Sequence, residues 1–261
     1  MPSFKHLLTG ILSFVILTVA GCEDEILNEI ETFFESTSDT PVEQINSEAP
    51  EQAPFAFSED YIMEMDELDA LDRPVNAHIQ LSYDQKPTED REPRIDFDPV
   101  GWHNYKHPYI DSDGEVGEYW VMNRTHMVGY LFSGLNDEPK NLFTGTAMLN
   151  KGAEHGMDRN DASSMLYYEM NLNDWLKNNP GHKIDLQVTP LYEGNELLPR
   201  QVRISYTGYS PNGEQIPISF SSGFETEGND ATVVVLNNEA DNLTIDYSTG
   251  RAEQTEKINT H

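Results

Sequence analysis

Tyr119-Trp120-Val121-Met122 runs straight into the polar tetrapeptide Asn123-Arg124-Thr125-His126. The next distinctive stretch is Asn141-Leu142-Phe143-Thr144-Gly145-Thr146-Ala147-Met148-Leu149-Asn150. Glu118 to Met122 reads as a strand, as does His78 to Tyr83 upstream. Downstream, Ser163 to Asn178 is predicted to be helical. Ser163 or Ser164 can cap it, Met165, Tyr168, Leu172 and Trp175 fall on one face, and Pro180-Gly181 stops it. Strands are then expected at Ile184 to Leu191, Val202 to Tyr209, Gln215 to Phe220, Ala231 to Leu236 and Leu243 to Tyr247, with Ser210-Pro211-Asn212-Gly213 as a hairpin turn. Strands, a helix, then more strands suggest the α+β class with a central antiparallel sheet. Asp111, Asp113, Gly114 and Glu115 imitate the opening of a calcium loop but lack the closing Glu, so a hairpin turn is expected there.

The 261-residue chain carries 46 acidic against 16 basic residues, a formal net charge of -30, and is 37% apolar. That balance excludes a basic nucleic-acid coat and a multi-span membrane protein. An aromatic content of 10% requires that part of the chain folds. The single cysteine, Cys22, rules out an internal disulfide framework and a Cys-based zinc site. Lys5 followed by the apolar run Leu7 to Ala20 has the form of a secretory signal. It ends in Val19-Ala20-Gly21-Cys22, which resembles the bacterial lipoprotein box. On that reading Cys22 is the lipidation site and acyl chains anchor the protein to a membrane outside the cytoplasm, each buried CH₂ contributing ~0.8 kcal/mol. Glu23 to Asp72 holds 17 acidic residues and no Lys or Arg, the composition of an extended tether. The expected organisation is a signal peptide over 1–21, lipidated Cys22 and a disordered acidic tether over 22–65, and a folded domain over 66–261.

The two central stretches resemble the DNA/RNA non-specific endonuclease family of ββα-metal nucleases, in its DNA-entry nuclease-like branch. In that family a D-R-G-H or N-R-S-H motif precedes N-L-x-T-G-T-x-x-x-N, a spacing that Asn141 and Asn150 keep. Other segments are similar in the same order: Glu67 to Arg73, Lys86-Pro87-Thr88-Glu89-Asp90-Arg91, Pro99 to His103, Tyr167-Tyr168-Glu169 and Thr189 to Arg200. The resemblance covers roughly Asp66 to Gly250. Asn123 stands where better-known members have Asp, Thr125 replaces Gly or Ser, and Ala147 stands where relatives in this branch often carry Arg.

The resemblance implies a ββα-metal (His-Me finger) fold and a Mg²⁺-dependent endonuclease, with Mn²⁺ as substitute ion, acting on DNA and RNA. It implies His126 as general base, Asn150 as metal ligand and Glu169 as a further catalytic acid near the metal; Arg124, the other catalytic candidate, either braces the loop or contacts phosphate. The physical demands agree. Phosphodiester hydrolysis needs an activated water, a cation for the growing phosphate charge, and stabilisation of the leaving oxygen. A neutral imidazole can take the water's proton. An amide oxygen binds Mg²⁺ without neutralising it. The alternative is a surface lipoprotein that kept the fold and only binds nucleic acid or a partner. No obligate protein partner is inferred.

Charge is the physical objection, because nonspecific binding to nucleic acid relies on phosphate neutralisation. Lys106, Arg124, Lys140, Lys151 and Arg159 all fall in the catalytic stretch. A focused positive cleft in an acidic shell is therefore expected, with Asn123, Asn141, Lys106, Lys140 and Lys151 as substrate contacts.

Overall fold

The computed structural model describes residues 49–110, 113–241 and 243–255. The signal segment, Cys22 and the tether as far as residue 48 lie outside these residues. In chain order the strands and helices are β1 (Ile62–Met65), β2 (Ala77–Ser82), β3 (Lys106–Ile110), β4 (Val116–Trp120), β5 (Met122–His126), α1 (Tyr130–Ser133), β6 (Leu142–Thr146), α2 (Ala147–Lys151) and α3 (Met165–Asn178). They continue with β7 (Lys183–Leu191), β8 (Gln201–Tyr209), β9 (Gln215–Ile216), β10 (Glu225–Glu227), β11 (Thr232–Asn237), β12 (Leu243–Asp246) and β13 (Arg251–Gln254).

The central sheet is antiparallel, in the order β1-β2-β7-β8-β11-β10, with β9 added to β8. Strand alternation sends Ile79, Leu81, Ile184, Leu186, Val202, Ile204 and Val234 to one face, all buried. Helix α3 lays Met165, Tyr168, Leu172 and Leu176 against this face, in one core with Met127, Val128, Phe143 and Leu149. Each such side chain contributes roughly 1.5–3 kcal/mol by leaving water. That core joins the sheet, through α3, to the segment around β5, β6 and α2.

The opposite face is polar, and residues 50–60 cover it. Phe55 stacks on the His78 ring at 3.5 Å, and its N–H donates to Asp185 Oδ2 at 3.2 Å. His78 Nε2 meets Asp185 Oδ1 at 2.6 Å. Ser58 N–H donates to Gln80 Oε1 at 2.8 Å. Arg203 Nη2 donates to Pro50 O at 2.6 Å, and Lys183 Nζ to the carbonyls of Glu59 and Asp60 at 2.9 and 2.6 Å. This strap leads into β1, which pairs with β2. The boundary expected at residue 66 is therefore corrected: residues 50–65 are part of the folded domain. Backbone carbonyls and N–H groups satisfied by the sheet's polar side chains hold an acidic segment that has too little apolar surface to fold by itself.

The turn at Ser210 to Gly213 connects β8 to β9, with Gly213 at φ +80°. Strands β3 and β4 pair as the hairpin expected around Asp113-Gly114. Gln215 to Phe220 shortens to two paired residues, because Pro217 has no N–H to continue the ladder. Glu118 to Met122 divides at Val121, whose N–H donates to Tyr105 O at 3.1 Å while its carbonyl accepts from Ala147 N–H at 2.9 Å. One apolar run thus changes partners and becomes two strands. Arg73, fully buried, ties two of the quoted segments together. Its Nε donates to Asp69 Oδ2 at 2.6 Å, and its Nη1 donates to the carbonyls of Gly194 and Glu196, each at 2.8 Å.

Candidate active site

β5 and β6 pair antiparallel from Met122↔Thr146 to His126↔Leu142, and α2 follows β6 without a break. Thr146 caps the helix by accepting from Leu149 N–H at 3.0 Å. Thr146 N–H donates in turn to Asn238 Oδ1 at 2.8 Å, and Asn238, fully buried, also reaches Pro199 O at 2.9 Å. The far end of β11 thereby holds the start of the helix that carries Asn150.

Asn150 Nδ2 donates to Asn123 Oδ1 at 2.9 Å. The nitrogen end of the amide is committed, and the oxygen end remains available to a cation. His126, at the end of β5, is 8% exposed. Its Nε2 lies 3.0 Å from the Asn136 carbonyl, which can only accept, so Nε2 carries the proton and Nδ1 keeps its lone pair. Burial pushes the His126 pKa down to about 4. The Asn136 carbonyl opposes that shift and the positive charge of Arg91 adds to it.

Glu169 comes from the second turn of α3 toward the chain just past His126. An added Cβ at Gly129 would lie 2.5 Å from its Oε1, so glycine is needed there for close approach, its φ of -55° being ordinary. Part of Glu169 remains in contact with solvent, yet its carboxyl is crowded by protein atoms. That desolvation pushes its pKa up to about 7, against the Gly129 backbone hydrogen bond and the charge of Arg91. Arg91 thus acts on both titratable groups. Its Nε donates to Asn136 Oδ1 at 3.0 Å, and Asn136 is the residue whose carbonyl holds His126.

Two expectations change. Asn141, expected to contact substrate, is fully buried. Its Nδ2 donates to Val128 O and its Oδ1 accepts from Val128 N–H, both at 2.9 Å, so it fixes the loop after His126 and cannot reach a ligand. The expected cluster of free cations is mostly neutralised. Lys106 pairs with Glu118 at 3.8 Å, Arg124 with Asp98 at 2.5 Å, Lys140 with Glu67 at 2.5 Å and Arg159 with Asp174 at 3.3 Å. Lys151, next to Asn150, is partly buried, which lowers its pKa. Arg91, Asn136, Gly129 and Asn238 were not singled out from sequence. Only Arg91 had a signal, as the last residue of the quoted Lys86 to Arg91 segment.

A ββα unit with a histidine ending its first strand and an asparagine on its helix, packed on an antiparallel sheet, defines a class of metal-dependent nucleases. Residues 57–209 match the family model described as DNA/RNA non-specific endonuclease, and the chain belongs to that family. A solved extracellular endonuclease is 38% identical, with TM-score 0.65, covering 77% of this chain and 90% of that one. A solved extracellular nuclease is 35% identical, with TM-score 0.63, covering 78% and 99%. NucA from Streptococcus agalactiae with magnesium ion bound shares the fold at 18% identity and TM-score 0.54, covering 78% and 82%. No curated protein matches the chain. The protein is an endonuclease, and the reading of the fold as a binding module alone is set aside.

Proposed function

We propose that this endonuclease works outside the cytoplasm, tethered to a membrane through a lipid on Cys22, and cuts DNA and RNA at one Mg²⁺-dependent site with His126 as general base. The observation that carries the site assignment is the pairing of His126 Nε2 with the Asn136 carbonyl, which leaves Nδ1 as the basic nitrogen. Its low pKa keeps the ring neutral at ordinary pH. Location rests on the lipoprotein-like Val19 to Cys22 and on the solved relatives being described as extracellular.

The donor set fits a hard divalent ion held by few protein ligands. Among the described residues no group of three or more His, Cys, Asp or Glu converges, so a cation here would rely on the Asn150 amide oxygen and on water or phosphate oxygens. Asn150 would hold the ion, Glu169 could hold a water bound to it, and Mn²⁺ could substitute. When bound, the ion supplies positive charge for the phosphate and the leaving oxygen. His126 Nδ1 takes the proton of the attacking water as the new O–P bond forms and the P–O3′ bond breaks, and the leaving O3′ takes its proton from solvent water. Arg91, Arg124 and Lys151 supply positive charge to the phosphate oxygens. Asn123 and Asn136 orient Asn150 and His126.

The test is degradation of plasmid DNA and of a structured RNA by the full chain, with Mg²⁺, with Mn²⁺ and with EDTA, beside His126→Ala. Cleavage of both substrates is expected, abolished by EDTA and strongly slowed by the substitution. EDTA-resistant cleavage would overturn the metal assignment, and an intact RNA would restrict the substrate to DNA.

A further inference from the structure

The four ion pairs of the catalytic stretch leave open how an acidic protein receives a polyanion, and Arg124 shows the most developed geometry among them. Its guanidinium lies over the Trp102 ring, 4.4 Å from the centroid. Nε and Nη2 both donate to one oxygen, Asp98 Oδ1, at 3.0 and 2.5 Å. The Arg124 side chain is 29% exposed and that of Asp98 57%, so the pair opens to solvent on the carboxylate side. Its placement is built in. Thr144, opposite Arg124 in the β5–β6 ladder, donates from Oγ1 to Val100 O at 3.0 Å, and Trp102 N–H donates to Pro99 O at 3.0 Å. The loop that carries Asp98 is therefore fastened to the catalytic unit.

The fork that grips a carboxylate is also the one that grips a phosphate. Trp102 stacks on the guanidinium whichever anion occupies its edge, so exchanging one anion for another need not move Arg124. We propose that Asp98 is an internal competitor for the substrate's phosphate: it holds Arg124 in the free enzyme and gives it up when a polynucleotide backbone enters. No covalent bond changes. The released carboxylate turns to solvent and takes a counter-cation. An intramolecular carboxylate has a high effective concentration, so an isolated anion or a short product competes poorly with it. A long backbone that also contacts other cations displaces it. Asp98 thereby sets substrate affinity and favours polymer over product. The inference rests on reading Arg124 as a phosphate contact.

The experiment measures Kd for a short DNA duplex across a salt series, using the full chain with His126→Ala so that the duplex survives. Arg124→Ala should weaken binding. Asp98→Asn should tighten it several-fold at low salt. Asp98→Asn should also steepen log Kd against log salt by about 0.9, the increment for one phosphate contact that now releases a counterion without taking one up. In the Arg124→Ala background the same substitution should leave the slope unchanged. Unchanged affinity in Arg124→Ala would overturn the phosphate reading and this proposal with it. Weakened binding in Arg124→Ala, joined to an Asp98→Asn variant that binds no better and keeps the wild-type slope, would overturn the proposal alone and make Asp98 a brace.

Discussion

Asn150 and Asn123, on α2 and β5, are joined by an amide–amide hydrogen bond of 2.9 Å that spans 27 residues of sequence and fixes which end of Asn150 faces outward. Orienting partners of a metal ligand typically contribute 10–100-fold to metal affinity or activity. Asn123→Ala should therefore raise the Mg²⁺ concentration needed for half-maximal rate by about tenfold. Asn150→Ala should cost more, and Asn150→Asp should bind the ion more tightly while turning over more slowly. Rate against Mg²⁺ for the four proteins is the measurement, and superimposable curves would remove both residues from the metal site.

His126→Ala should lower turnover by ~10²–10⁴, the usual contribution of a positioned base, and leave the circular dichroism spectrum unchanged. Because the free-enzyme pKa lies at about 4, the loss of rate caused by protonating this ring should fall well below pH 6. An acid limb centred on the ordinary histidine value would contradict the burial described for it.

Glu169 should make the metal-free protein less stable as pH rises. Its folded pKa of about 7 exceeds the ordinary 4.5, so between these values the folded state binds more protons than the unfolded one. The stabilisation is complete below pH 4.5 and gone above 7, a change on the order of 3 kcal/mol. His126 has the opposite sign over pH 4 to 6.5, where the unfolded chain takes up the proton and stability rises with pH. Urea unfolding of wild type and Glu169→Gln in EDTA separates the two. The variant should gain on wild type between pH 5 and 8, and a constant difference would refute the shift.

Gly129→Ala should destabilise the fold by ~1–3 kcal/mol through overpacking, and slow cleavage, because the new methyl would occupy the space of the Glu169 carboxylate. Combining it with Glu169→Ala should recover most of the stability and none of the activity. Melting temperatures of the two single variants and the double variant decide it, since strict additivity would show that the two groups do not touch.

Truncation should separate tail from strap. A chain beginning at residue 49 should melt like the full chain and bind DNA more tightly at low salt, having lost the nine acidic residues of 23–48. One beginning at residue 66 should melt far lower, because the polar face loses its cover and β2 its edge partner. Equal melting temperatures would show the strap to be ornamental.

Periodicity made α3 legible: the spacing of Met165, Tyr168 and Leu172 marks its buried face, and the helix ends two residues before Pro180. The long strands were legible for the same reason. The strap was not, because the residues that receive it, among them Gln80, Asp185, Gln187 and Arg203, look in sequence like the wet side of a half-exposed sheet. A polar face can be covered by another stretch of backbone as well as by water, and alternation does not distinguish the two. The ββα unit and the roles of His126 and Asn150 could be named by resemblance, but the structural role of Asn141 could not. Asn141 and Asn150 are the same residue type in one short motif. Only the fold shows one turned inward to Val128 and the other bonded to Asn123. The ion pairs were equally hidden, since Asp98 and Glu67 lie 26 and 73 residues from the cations they neutralise.

The strap also decides how the domain answers to a pull. Load applied at residue 49 reaches the carbonyls of Pro50 and Glu51 first, then Phe55, Ser58 and the pair held by Lys183. Those contacts give way in succession, as in peeling tape, rather than all together as in shear. The unit bearing His126 and Asn150 lies across α3 on the other face of the sheet, so tension along the N-terminal arm is spent on the strap before it can disturb the geometry of cutting.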